Sequence, residues 1–153
     1  MVDVSDTIVF VDPGKWALAV AVWDGPRFRD AVYVEGSRHH MHATVAAYQP
    51  RKVVVEKPVS YTLAQQKGDQ NDLIDVALSA GAAMAACPVA LTFAPGEWKG
   101  QVPKHIHHAR IDRDLTLPMR AAIARVAKTK QHNLLDAIAL GLWWFKTQPM
   151  KGQ

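Results

Sequence analysis

Apolar and polar positions change rhythm several times along the chain, and each change marks an element. Thr7 to Asp12 (TIVFVD) is a short apolar run that ends on a carboxylate, and after Pro13-Gly14 a second run follows, Trp16 to Trp23 (WALAVAVW). Runs of this length, rich in β-branched and aromatic residues and separated by Pro-Gly, predict two strands joined by a tight turn. A third strand is predicted at Asp30 to Val34 after the Gly25-Pro26 break, so the chain opens as a three-strand antiparallel meander. Ser37 to Tyr48 reads as a helix stopped before Pro50. Lys52 to Glu56 (KVVVE) has the unbroken apolar character of a strand buried on both faces, and it too ends on a carboxylate.

Downstream, a polar loop is expected through Tyr61 to Gly68. Asp69 to Cys87 has helical periodicity, with Leu73, Val76, Ala77, Ala80, Ala83 and Met84 on one side and Asp69 or Asn71 as cap. Pro88 ends that helix, Val89 to Phe93 is the next strand, and Pro95-Gly96 turns into a basic segment. From Pro103 onward the pattern is wholly helical, ending in Asn133 to Lys146 (NLLDAIALGLWWFK), whose apolar content predicts a buried helix. Strands and helices in this order predict an α/β protein with a mixed central sheet flanked by helices. A length of 153 residues with 49% hydrophobic composition suits a single domain, its core spanning about residues 7–146.

Composition narrows the setting. The one cysteine, Cys87, allows no internal disulfide and has no zinc-ligand spacing around it. The start of the chain, Met1 to Asp6, is polar and acidic without a signal-like pattern, and no stretch reaches the ~20 apolar residues of a membrane span. The expectation is a cytoplasmic protein with no membrane partner. The formal net charge of +4 says little as a total, but its distribution is uneven. Between Trp98 and Lys130, Lys99, Lys104, Arg110, Arg113, Arg120, Arg125, Lys128 and Lys130 face only Asp112 and Asp114, while the rest of the chain is mildly acidic. Such a segment suits a phosphate backbone, because neutralising phosphates releases counterions; a solvated helical face is the alternative.

Three acids sit where charge is costly: Asp12 and Glu56 at the ends of apolar strands, and Asp136 inside the apolar last helix. Asp12 also suits a turn before Pro-Gly, and Glu56 has Lys57 beside it. Asp136 has no cation among its neighbours in Leu134-Leu135-Asp136-Ala137-Ile138. A buried carboxylate needs a cation or hydrogen-bond donors, and a shared divalent metal would satisfy all three. Hard oxygen ligands suit Mg²⁺ or Mn²⁺, and paired ions can hold the attacking and leaving oxygens of a phosphodiester.

In this order and at these intervals the motifs resemble a known family. Phe10-Val11-Asp12-Pro13-Gly14 resembles the first-strand motif of RuvC-type Holliday junction resolvases, and Val53-Val54-Val55-Glu56 resembles their internal strand. Ala80 to Ala86 is similar to their small-residue helix, Phe93-Ala94-Pro95 with Trp98-Lys99 to the junction leading into a DNA-facing region, and Asn133 to Leu140 to the terminal helix. Trp98-Lys99-Gly100, Pro103-Lys104 and His132-Asn133 bring the pattern closest to the compact resolvases of bacteriophages and prophages.

The resemblance implies an RNase H-like fold and an endonuclease that cuts four-way or other branched DNA with two Mg²⁺, for which Mn²⁺ would substitute. The implied ligands are Asp12, Glu56 and Asp136, with Asn133 standing where the family usually has another acid; its amide oxygen can coordinate without adding charge, and His132 is a further candidate donor. Lys99 and Lys104, with Arg110, Arg113 and Lys15, are the implied backbone contacts. A C2 homodimer is implied by the need to cut two strands symmetrically, and a bacterial or phage source by the family. Two alternatives stay open: another RNase H-like nuclease acting on RNA or flaps, and a junction-binding protein weak in catalysis. The clusters His39, His40, His42 and His105, His107, His108 are read as exposed, Trp143-Trp144-Phe145 as core or dimer surface, and Leu63 to Lys67 as a segment that meets substrate.

Overall fold

The computed structural model describes residues 6–59 and 69–148. The polar loop expected at Tyr61 to Gly68, with Leu63 to Lys67 inside it, and most of the Met1 to Asp6 stretch lie outside these residues. Five strands form one mixed sheet in the order β3-β2-β1-β4-β5. They are β1 (Thr7–Pro13), β2 (Ala17–Asp24), β3 (Arg27–Glu35), β4 (Lys52–Glu56) and β5 (Ala90–Phe93). The β1-β2 and β2-β3 pairs are antiparallel, whereas β1-β4 and β4-β5 are parallel. The expected meander therefore joins a parallel half, with β1 in the centre.

Alternation along the strands divides the core in two. Phe10, Ala19, Ala21, Ala31 and Val54 face one side, packed against α6 (Gln131–Thr147) and α5 (Leu117–Ala124). Val9, Val11, Val20, Val53 and Val55 face the other, against α1 (Arg38–Ala47) and α2 (Gln70–Met84). Ser37 caps α1 by accepting the His40 N–H, and Asp69 caps α2 by accepting the Asn71 N–H. On α6, Gly141 lets the helix approach the indole of Trp23, and Trp144 joins the same aromatic core.

The structure differs from the sequence expectations in several places. β3 begins at Arg27, immediately after the Gly25 turn, because Arg27 and Phe28 already pair with β2. Pro95-Gly96 opens a one-turn helix, α3 (Pro95–Trp98), instead of a plain turn; the Glu97 carboxylate accepts the Ala94 N–H at 2.6 Å. The stretch after Pro103 is not wholly helical: α4 (Lys104–Asp112) stops before Thr116, and α5 ends before a short 3-10 turn at Lys128–Lys130. Thr116 and Pro118 are start signals for a new helix rather than interior residues. On α2, Ser79, Ala80 and Ala83 are buried, whereas Ala77, placed on the core side from periodicity, is exposed. No helix among the described residues is long and apolar enough to cross a membrane.

Candidate active site

Parallel pairing of β1 and β4 brings their C-terminal ends to the same sheet edge. Val11 pairs with Val55, so Asp12 and Glu56, the next residues, leave the sheet side by side. Both share the strand parity of Phe10 and Val54 and so face α6. Asp136 lies in the second turn of α6 and is 4% exposed, the most buried charged residue described. The three acids are thus delivered by three separate elements to one end of the sheet.

Cations from the following segment close over them. The Lys99 ammonium, just after α3, lies 2.9 Å from Glu56 Oε2 and 3.9 Å from Asp136 Oδ2. Lys104, at the start of α4, reaches within 4.0 Å of Asp136 Oδ2, and His108 Nε2 stands 3.0 Å from Asp136 Oδ1. The Trp98 indole N–H donates to the same oxygen, Glu56 Oε2, at 3.0 Å, so two donors hold it. His107 packs edge-on against Trp98, with ring centroids 5.4 Å apart.

The electrostatics follow from this crowding. Burial of its carboxyl raises the Asp12 pKa well above the usual carboxylate value, and the charges on Glu56 and Asp136 push it the same way against Lys99 and Lys104. Glu56 is raised as well, by burial first, with Lys99 opposing. Burial pulls Lys99 down, but Asp136 and Glu56 outweigh it, so its ammonium is held more firmly than a free lysine's. His107 is lowered by burial and then by the charge on Lys99.

Among the described residues, no three His, Cys, Asp or Glu side chains are spaced to ligate one ion as they stand; the Lys99 ammonium lies between Glu56 and Asp136. The donor set nevertheless fits a hard divalent cation. It offers three carboxylates, and the mutual repulsion that raises Asp12 is what added positive charge relieves. Asn133 sits one helical turn before Asp136, on the same face of α6. His132 is exposed overall; partial burial of its ring lowers its pKa, followed by the charge on Lys104, with Asp136 and His108 near enough to act on it.

The remaining side chains expected at the site take up distinct places. Lys99 and Lys104, expected on the DNA backbone, point at the carboxylates. Lys15 pairs with Asp72 on α2 at 2.7 Å. Arg110 and Arg113 are exposed on and just after α4, with no ion pair among the described residues. His42, His107 and His108 are half-buried rather than exposed, and His108 is the residue that sequence reasoning missed. Its signal was its place in α4, four residues after Lys104, which puts both on one helix face.

No protein-family model matches the chain, and no curated protein does. Solved structures do. The chain is similar to RuvC of Thermus thermophilus in complex with a Holliday junction substrate, at 18% identity over 93% of this chain and 96% of that one, with a TM-score of 0.63. It is also similar to another Thermus thermophilus RuvC structure, at 20% identity over 92% of this chain and 95% of that one, with a TM-score of 0.55. The five-stranded mixed sheet with flanking helices is therefore a RuvC-like, RNase H-like fold.

Proposed function

We propose that this protein is a metal-dependent DNA endonuclease that hydrolyses phosphodiesters at four-way or other branched junctions. The observation that carries the reading is the convergence of Asp12, Glu56 and Asp136 from β1, β4 and α6 onto one cation-lined end of a RuvC-like sheet. Asp12, Glu56 and Asp136, with Asn133 beside them, would hold two Mg²⁺, and Mn²⁺ would substitute. When bound, such ions supply the charge that activates a water and stabilises the departing 3′ oxygen.

The chain's own groups have distinct tasks. Trp98 holds Glu56 through its N–H, and His108 holds one oxygen of Asp136. Lys99 and Lys104 neutralise the carboxylates in the absence of other cations and are placed to meet a phosphate arriving at them. Arg110 and Arg113 extend positive charge outward along α4 toward the DNA backbone. Symmetric cutting asks for a homodimer, and α2 offers a surface for it: Ile74 and Leu78 are 58% and 53% exposed, and Gly81 follows on the same stripe.

The test is a cleavage panel with a synthetic four-way junction, a flap, a hairpin, linear duplex and an RNA–DNA hybrid, with and without Mg²⁺. The expected result is Mg²⁺-dependent nicking of the junction, abolished by Asp12→Asn, Glu56→Gln or Asp136→Asn while junction binding stays within about tenfold. Preference for the hybrid or the flap would assign another nuclease specificity. Tight junction binding without nicking would leave a binding protein.

A further inference from the structure

Next to the carboxylates, on the side of β3, the surface opens into a cleft of about 480 Å³, lined by Gly14, Lys15, Trp16, Tyr33, Glu35 and Lys130 among others. Its position is fixed by the sheet. Asp12 pairs with Ala19, and Ala19 pairs with Tyr33, so the three lie in one row and share a face. Two strand spacings place the Tyr33 backbone roughly 10 Å from that of Asp12. The Asp12 charge still acts on the Tyr33 hydroxyl.

Trp16 is the unusual member. It is 52% exposed, belongs to neither core cluster and sits in the β1-β2 turn just before β2. Its ring is nevertheless held: the Arg38 guanidinium lies 3.4 Å from its centroid. Arg38 is itself anchored to the Lys15 and Asp75 carbonyls and to the Asp75 carboxylate. The turn is pinned a second time by the Ser79 hydroxyl, which donates to the Lys15 carbonyl at 2.8 Å. An indole that the core does not need, clamped on one face and left half in solvent, is a preorganised stacking surface. Across the cleft, Lys130 lies 5.7 Å from the Tyr33 ring centroid and only loosely pairs with Glu35, at 3.7 Å.

We propose that this cleft receives one unpaired nucleobase of the bound DNA strand, stacked on Trp16, with Lys130 meeting the adjoining phosphate. The inference deepens the nuclease reading and rests on it for the identity of the strand. Aromatic rings interleaved with cations are how single strands are held, since every base has a face to stack and every linkage a charge to neutralise. Tyr33 adds a hydroxyl that both donates and accepts, able to meet a base edge. The cleft has the size of a small-molecule site, enough for one base and not for a duplex.

The experiment uses the full chain in EDTA, which withholds the Mg²⁺ that the proposed cleavage needs, and a short single-stranded oligonucleotide carrying one fluorescent adenine analogue. Stacking quenches the analogue; an otherwise identical oligonucleotide with an abasic position reports phosphate contacts alone. The expected result is that the base-containing strand binds more tightly than the abasic one. Trp16→Ala should remove that preference, weakening the base-containing strand by roughly five- to a hundredfold, and Trp16→Phe should restore part of it. Lys130→Ala should weaken both strands alike. Equal binding of the two oligonucleotides, or quenching that persists in Trp16→Ala, would overturn the proposal. Junction nicking is measured on the same preparation: a base preference without nicking would sink the nuclease reading and leave the cleft, while nicking with no base preference would do the reverse.

Discussion

Replacing Asp12 with Asn should make the metal-free protein more stable and at the same time unable to respond to Mg²⁺. The Asp12 carboxyl stands beside Glu56 and Asp136, and burial and both neighbours raise its pKa. The folded state therefore holds that proton more tightly than the unfolded chain does. Stability from this group is fully present below its unfolded pKa of about 3.9 and is lost as pH rises through the raised folded value. An uncompensated buried charge costs about 3–5 kcal/mol. Lys99 and Lys104 offset part of that, and the residue is partly exposed, so a gain of about 1–2 kcal/mol is expected for Asp12→Asn at pH 8. For a chain of this size that is a melting-point rise of roughly 2–8 °C.

Binding works in the opposite direction. Above its dissociation constant, each tenfold rise in Mg²⁺ should stabilise the wild type by about 1.4 kcal/mol per bound ion, or about 3–6 °C. Thermal melts in EDTA and across a Mg²⁺ series, at pH 5 and pH 8, measure both effects. In EDTA the advantage of Asp12→Asn over the wild type should be larger at pH 8 than at pH 5, since Glu56, His107 and His132 titrate in both proteins, and the two melting curves should cross as Mg²⁺ increases. An Asp12→Asn protein that melts below the wild type in EDTA at pH 8, or follows Mg²⁺ as the wild type does, would refute the reasoning.

Three further outcomes are expected. A Cβ added at Gly141 would lie 2.5 Å from Trp23 Cη2 and closer still to Cζ3; because Phe10 and Phe28 hold that indole, overpacking of about 1–3 kcal/mol should outweigh the gain in helix propensity of about 1 kcal/mol, and Gly141→Ala should unfold at lower urea. Lys99→Met removes the cation between Glu56 and Asp136, so its melting point in EDTA should fall below that of the wild type and recover more steeply with Mg²⁺; equal melting in EDTA would show that the ammonium does not neutralise the cluster. Arg110→Ala and Arg113→Ala should each lower the slope of log affinity against log salt for duplex arms by about 0.9, whereas Lys146→Ala, whose partner is Asp114 at 2.8 Å, should leave it unchanged; equal slopes for all three would remove α4 from the DNA path.

The carboxylates are legible in the sequence because each interrupts an apolar pattern. Asp12 and Glu56 terminate strands whose remaining residues are largely buried, and Asp136 is the one charge in the buried part of α6. What surrounds them is not. Lys99 follows a one-turn helix, and α4 carries no buried residue, so neither has a periodicity that says which way it faces. Only the tertiary approach of this segment to α6 turns Lys99 and His108 inward. The break at Thr116 does carry a signal, a threonine cap with Pro118 two residues on, which the apolar rhythm alone passes over; the one at Lys128 is hidden, because Ala127, Lys128, Lys130 and Gln131 all suit a helix interior. Trp16 has the apolar character of the first residue of a strand. The Gly14 N–H to Ala17 carbonyl bond, 2.8 Å, instead leaves it in the turn.

The strand directions also divide the molecule into two ends with different tolerances. Asp12, Glu56, Trp16 and Glu35 all lie at one edge of the sheet, while the Gly25 turn, the approach to β4 at Arg51 and the start of β5 lie at the other. At that far edge Gly25 adopts φ +55, its added Cβ would meet nothing within 4 Å, and Pro26 is exposed. A peptide tag or a fluorescent domain spliced between Gly25 and Pro26 would emerge on the side away from the carboxylates, lengthening a loop at small entropic cost. That makes the β2-β3 hairpin a handle by which the protein can be tethered to a surface with its working end outward.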